Sequence, residues 1–168
     1  MYRVAIITLS DSGYAGKRED KSGKLIRSLT ERAGYTVTDT LLLPDEEERL
    51  AAELRRICDG NLADLILTTG GTGFSERDRT PEATMAVVER PAPGIAEAMR
   101  WRSLSITPRA MLSRAAAGIR AKTLIVNLPG SQMCIRDRAS SSTFSAPRIS
   151  SAARFSRRAM TGWLSSRS

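Results

Sequence analysis

Three short, largely apolar stretches constrain this chain more than any other feature: VAIITL at 4–9, LADLIL at 62–67 and AKTLIVNLPGS at 121–131. A strand with one face in water alternates apolar and polar side chains, whereas a run without alternation is what a strand covered on both faces looks like. The segments between the runs have helical spacing instead. KSGKLIRSLTERAG (21–34) places Leu25, Ile26 and Leu29 on one face, and Gly34 stands where a C-terminal cap belongs. A further strand, YTVTDTLLLP, ends at Pro44. Asp45 is then a candidate N-cap, with Glu46, Glu47 and Glu48 in the first turn, Glu48 at the capping-box position, and Leu50, Leu54 and Ile57 facing inward as far as Gly60. Thr80-Pro81 opens a helix over PEATMAVVER, with proline at the first helical position. The stretch from Pro91 to Gly118 holds two short helical patterns around Pro108. Buried strands alternating with amphipathic helices predict an α/β layer fold with a mostly parallel sheet, in which ligands collect at the carboxyl ends of strands.

Composition narrows the chemistry. A length of 168 residues suits one domain. The formal charge of +8 points toward an anionic partner until it is located: residues 132–168 contain seven arginines and one aspartate, which leaves the body nearly balanced at +2. Nucleic-acid binding is therefore not expected of the body. The absence of histidine excludes a Ser-His-Asp triad, a Cys-His pair and any histidine-bearing zinc site, and two cysteines cannot form a four-thiolate site in one chain. Cys58 follows Leu50, Leu54 and Ile57 at helical spacing, which predicts a buried thiol filling core space. The first apolar run is too short for a signal-peptide core and nothing approaches a membrane span, so the expectation is a soluble cytoplasmic protein.

The segment LTTGGTGFSERDRT (67–80) carries the clearest functional signal. Gly70, Gly71 and Gly73 allow positive φ and leave backbone amides uncovered, so the turn can cradle an anion, with hydroxyls available from Thr68, Thr69 and Thr72. A tight strand-to-helix turn would have the same glycines. Three carboxylates favour the anion site: Asp11 after the first strand, Asp45 after the second and Asp78 beyond the glycines, all expected at one sheet edge. Carboxylates beside a phosphate require a cation between them, and Mg²⁺ held by one or two carboxylates plus substrate phosphates is the common arrangement. From spacing alone, Asp45 as a plain helix cap and Asp11 and Asp20 as solvated loop acids remain open. GYAGKRED fails the G-x-x-x-x-G-K-[ST] pattern, so a nucleotide here is not held by a P-loop.

Four motifs in order, SDSGYAGKREDKSG, LLPDE, LTTGGTGFSERDRTPEAT and LIVNLPGS, closely resemble the molybdenum cofactor biosynthesis family of MogA, MoaB and the gephyrin-like G domains over residues 3 to 131. PGIAEAMRWRSLSITPRAMLSRAAAGIR leans toward the MogA type. The resemblance implies a three-layer α/β fold, commonly trimeric, that uses MgATP to adenylylate molybdopterin with release of pyrophosphate. It implies that Thr69, Gly70, Gly71, Thr72 and Gly73 bind the terminal phosphate of the pterin and its surroundings. Asp45 and Asp78 would be the catalytic, Mg²⁺-binding pair, with Ser75 beside them. Ser10, Asp11, Asp20 and Gly23 match the first motif, and Asn127, Pro129, Gly130 and Ser131 the last, all as substrate-binding positions. Two other functions are open to such a chain: a pterin-binding scaffold without catalysis, and a nucleotide hydrolase resembling the N-terminal domain of CinA, whose GGLGPT form is not matched by GGTGFSERD.

The resemblance stops at Gln132. The family continues NLPGS with proline and an amphipathic helix, whereas this chain continues QMCIRDR and then a stretch with ten serines in 37 residues and no sustained period. Residues 132–168 read as a disordered tail or as translation in a shifted frame, and residues 1–131 as the functional domain.

Overall fold

The computed structural model describes residues 2–130. Ser131 and the expected 132–168 tail lie outside the described residues. The chain runs β1 (Arg3–Leu9), a short α1 (Asp11–Tyr14), α2 (Lys21–Arg32), β2 (Thr36–Leu43), α3 (Glu47–Asp59), β3 (Leu65–Thr69) and α4 (Thr80–Met85). It continues through β4 (Arg90–Pro91), α5 (Pro93–Leu104), a 3₁₀ turn (Pro108–Leu112), β5 (Ala117–Arg120) and β6 (Thr123–Leu128).

The six strands form one sheet in the order β2-β1-β3-β6-β5-β4. The β1–β2, β1–β3 and β3–β6 pairs are parallel, while β5–β6 and β4–β5 are antiparallel. The expected mostly parallel sheet is thus present, with an antiparallel edge. Alternate β1 residues point to opposite faces, and both faces are apolar. Ala5, Ile7 and Leu9 join Leu50, Leu54, Ile57, Ile66 and Ala83 in one cluster under α3 and α4. Val4 and Ile6 join Ile26, Leu65 and Val126 on the other face, where Leu25 and Leu29 of α2 and Ile95 and Met99 of α5 pack. Helices on both faces make three layers, and this is why the strand runs show no alternation. Cys58 lies in the first cluster, as its spacing predicts.

Two local expectations change. Asp45 is not the N-cap of α3: Glu46 occupies that position, with no side-chain capping bond, because the Asp45 carboxylate is turned toward Asp11. The helix opened by Thr80-Pro81 ends at Met85, since Val87 turns into the core and the chain then forms β4. The β4 and β5 strands carry no sequence signal of their own. Gly34 has φ +83 just past α2, where the cap was expected. No helix among the described residues is long and apolar enough to cross a membrane.

Candidate active site

From β1 the chain moves to β2 on one side and then to β3 on the other, so the strand order reverses between β1 and β3. Loops leaving the two strands diverge there and open a crevice at their carboxyl ends. Ser10-Asp11 leave β1, Pro44-Asp45 leave β2, Gly70-Gly71 leave β3 and Pro129-Gly130 leave β6, all at this edge.

The glycines have separate physical reasons. Gly70 has φ +98, and a Cβ there would lie 2.3 Å from the Leu9 carbonyl oxygen; Gly71 has φ +60, and its Cβ would meet Thr80 Oγ1 at 2.4 Å. A Cβ on Gly73 would come within 2.8 Å of Asp78 Oδ2. The turn thus folds against Leu9, Thr80 and Asp78, and only glycines allow such contact. Among the described residues, no hydrogen bond uses the Gly71, Thr72, Gly73 or Phe74 amide. Those donors suit an anion.

Two of the carboxylates are locked together. The Asp11 amide donates to Asp45 Oδ2 (3.0 Å) and the Asp45 amide to Asp11 Oδ1 (2.9 Å). Arg77 forks onto Asp11, with Nη2 at 2.8 Å from both carboxylate oxygens and Nε at 3.1 Å from Oδ2. The Arg77 hydrogen bond, helped by the Asp45 amide, holds the Asp11 carboxyl below its ordinary range. Burial pushes the Asp45 carboxyl up; the Asp11 amide pulls it back, and the charges of Asp11 and Asp78 push it up again. Asp78 Oδ2 accepts from the Ser75 amide at 3.0 Å, and Ser75 Oγ accepts from the Arg77 amide at 3.3 Å. Arg77 neutralises Asp11, which leaves Asp45 and Asp78 as like charges beside the glycine turn. A hard cation fits that donor set, because it would offset both the burial and the neighbouring charges that raise Asp45. No group of three or more His, Cys, Asp or Glu residues that could hold a metal exists among the described residues, so protein ligands alone would not complete a coordination shell.

The family described as "Probable molybdopterin binding domain" matches residues 5–145. The chain belongs to that molybdopterin-binding family. The match runs past residue 131. Similar proteins include the molybdopterin adenylyltransferase of Helicobacter pylori, 41% identical over 143 residues that cover 80% of this chain and 77% of the relative. The Escherichia coli molybdopterin adenylyltransferase is 39% identical over 140 residues, 80% of this chain and 70% of the relative. Among solved structures, the molybdopterin biosynthesis enzyme MoaB of Thermus thermophilus superposes with a TM-score of 0.78 at 44% identity, covering 89% of this chain and 94% of that one.

Not every expected site residue of this family member lines the glycine turn. Asn127 is fully buried: Nδ2 donates to Thr68 Oγ1 (2.9 Å) and Thr84 Oγ1 (2.8 Å), and Oδ1 accepts from the Ala116 amide (3.0 Å). Both Nδ2 hydrogens and one Oδ1 lone pair are thus used inside the protein, and Asn127 braces the floor beneath the turn, where the last motif implies a substrate-binding position. Thr69 is also buried, its hydroxyl donating to the Pro129 carbonyl at 3.2 Å. Ser10 caps α1, accepting from the Gly13 amide at 3.1 Å. Asp20 caps α2 through the Gly23 amide at 2.8 Å, and Gly23 has no room for a Cβ between Asp20 and Thr8. Gly130 packs on Gly70 and its carbonyl accepts from Ser22 Oγ at 3.4 Å, which joins the α2 start to the β6 end. Ser131 lies outside the described residues.

Two site residues have no counterpart in the sequence reading. Arg77 lies inside the SERD segment but is exposed by spacing alone; only its fork onto Asp11 gives it a role. Arg114 is distant in sequence yet bonds to the glycine loop. Its one available signal is a lone charge in the small, apolar run AMLSRAAAG.

Proposed function

We propose that this chain is a molybdopterin adenylyltransferase that transfers AMP from MgATP to the terminal phosphate of molybdopterin. One oxygen of that phosphate attacks the α-phosphorus of ATP, the bond to the β-phosphate oxygen breaks, and pyrophosphate leaves with the electron pair. The observation that carries this reading is the convergence of an amide-lined glycine turn with Asp45 and Asp78 at the β1/β3 crevice. The names of relatives at about 40% identity support it.

In this reading the Gly71–Gly73 amides hold the pterin phosphate, and Asp45 and Asp78 hold Mg²⁺, which neutralises charge on the ATP phosphates. Ser75 and its amide fix the Asp78 carboxylate. Arg77 keeps Asp11 charged and in place, so that the Asp11 amide aims Asp45. No covalent intermediate is required, so positioning and charge neutralisation supply the rate. The reading also takes the protein as a cytoplasmic homotrimer with small-molecule substrates. Exposed Trp101, Leu104, Met111 and Leu112 favour an assembly that covers this apolar stretch, and light scattering in solution tests the trimer.

Mass detection of adenylylated molybdopterin after mixing the full chain with molybdopterin and MgATP tests the activity. Pyrophosphate should appear only when molybdopterin is present; release without it indicates a hydrolase, and pterin binding without release indicates a scaffold. Asp78→Asn should lose turnover and keep most pterin binding, and comparable turnover in that variant would remove Asp78 from the assignment.

A further inference from the structure

In each peptide the carbonyl is directed opposite to the amide, so the carbonyls of the glycine turn point away from the side that would take an anion. Arg114 meets them. Its amide donates to the Thr72 carbonyl at 3.0 Å, Nε donates to the Gly73 carbonyl at 2.7 Å, and Nη2 donates to the Asp78 carbonyl. Nη1 completes the set on Glu82 Oε1, in the first turn of α4. One residue thus holds Thr72 through its backbone amide, and its partly buried side chain grips the Gly73 and Asp78 carbonyls and the helix that follows.

The grip has consequences on the ligand side. Orienting the Thr72 and Gly73 carbonyls inward fixes the peptide planes whose other edges carry the Gly73 and Phe74 amides. Fixing the Asp78 carbonyl fixes the backbone from which its carboxylate reaches the Ser75 amide. Glu82 keeps the guanidinium oriented: burial pushes its carboxyl up, but the Arg114 hydrogen bond, its own backbone amide and the charges of Arg114 and Arg79 together hold it below the ordinary range. Three donor directions in one plane are a property of guanidinium that an ammonium cannot reproduce.

We propose that Arg114 is a positioning residue for the transfer reaction, acting through the backbone of residues 72–78 to hold the amide cradle and Asp78 in register with each other. The proposal rests on the adenylyltransferase reading for its catalytic consequence, but its structural part stands independently. Arg114 touches neither substrate nor metal in this scheme.

The test uses the full chain with Arg114→Lys and Arg114→Ala. Arg114→Lys should remain folded and show faster amide hydrogen exchange at the hydrogen-bonded Ser75, Arg77, Asp78 and Thr80 amides, by roughly tenfold, with exchange in the core strands unchanged. Its kcat should fall by roughly a hundredfold while KM for MgATP changes by less than about threefold, as expected for misplacement of about 1 Å in the reacting groups. Free guanidinium should restore part of the kcat of Arg114→Ala. An unchanged kcat in folded Arg114→Lys overturns the catalytic part, as does a loss no greater than the loss of folded protein. If the unsubstituted chain itself makes no adenylylated molybdopterin, the adenylyltransferase reading fails and the exchange comparison alone decides on Arg114. Unaltered exchange at those four amides overturns the clamp.

Discussion

At Asn127 both Nδ2 hydrogens go to Thr68 and Thr84 and Oδ1 accepts from Ala116, so removing the side chain leaves buried hydroxyls and a backbone amide without partners. Asn127→Ala should cost about 3 kcal/mol in urea unfolding, given 1–3 kcal/mol for each buried group left unsatisfied and some relaxation. Molybdopterin affinity per folded molecule should be retained, and a large loss of affinity at unchanged stability would return Asn127 to the ligand set. Asp45 behaves in the opposite way. Burial, with the neighbouring charges, raises its pKa above the ordinary 3.8, so the fold favours its neutral form. Stability from this group is greatest below the unfolded pKa and is lost as pH rises through the folded one. Asp45→Asn should therefore melt higher than the unsubstituted chain at pH 7, show little difference near pH 3, and turn over poorly, as is common when a strained functional group is removed. A lower melting temperature at pH 7 would show that the negative charge is already compensated. The sequence made Asp45 legible as a carboxylate between strand and helix, but whether it capped or faced the crevice depended on Asp11, 34 residues away.

Among the elements, α2 and the glycine turn respond to single substitutions for different reasons. Asp20→Ala removes the α2 cap and should cost about 1 kcal/mol, whereas Asp20→Asn, also a good cap, should leave stability nearly unchanged. If Asp20→Asn nevertheless abolishes pterin binding, the charge of Asp20 serves the ligand as the first motif implies. Gly70→Ala combines positive φ with a clash on the Leu9 carbonyl and should destabilise by more than about 2 kcal/mol, checked by thermal or urea unfolding. Periodicity located β1, β3 and β6 because burial on both faces writes a continuous apolar run. It missed β5 because Ala117–Arg120 offers small residues with little strand preference, and its hairpin turns through Ala121 at φ +50 without the Asn-Gly or Asp-Gly signal. That strand forms because β6 presents an edge for it to pair with, which is tertiary information.

For the whole molecule, acid is the informative perturbation. Arg77 lowers Asp11 and Arg120 lowers Asp59; at Asp64 and Glu82, burial is outweighed by Arg3 and Arg114. Groups with depressed pKa contribute stability above their unfolded values, 3.8 for Asp and 4.5 for Glu, and lose it as pH falls through the folded values. Stability should thus be nearly flat from neutral pH down to about 5 and fall below it, with the exposed Asp11 and Asp59 pairs contributing little at high salt. Circular-dichroism melts across pH 3 to 7 test this, and a steady rise in stability toward pH 3 would contradict it. We also propose that residues 132–168 are the product of a shifted frame, which resequencing the coding DNA through codon 132 tests. The sequence by itself determined the layered α/β class, the carboxyl-edge position of the glycine turn and the identity of its carboxylates, because strand burial, helix amphipathicity and glycine freedom are local properties. The tertiary structure alone decided that Asn127 is a brace, that Arg77 neutralises Asp11 and that Arg114 holds the loop from behind. Those roles rest on hydrogen bonds such as Arg77–Asp11, Arg114–Asp78 and Asn127–Thr68, whose residues lie 36 to 66 positions apart, and no local pattern records such a pairing.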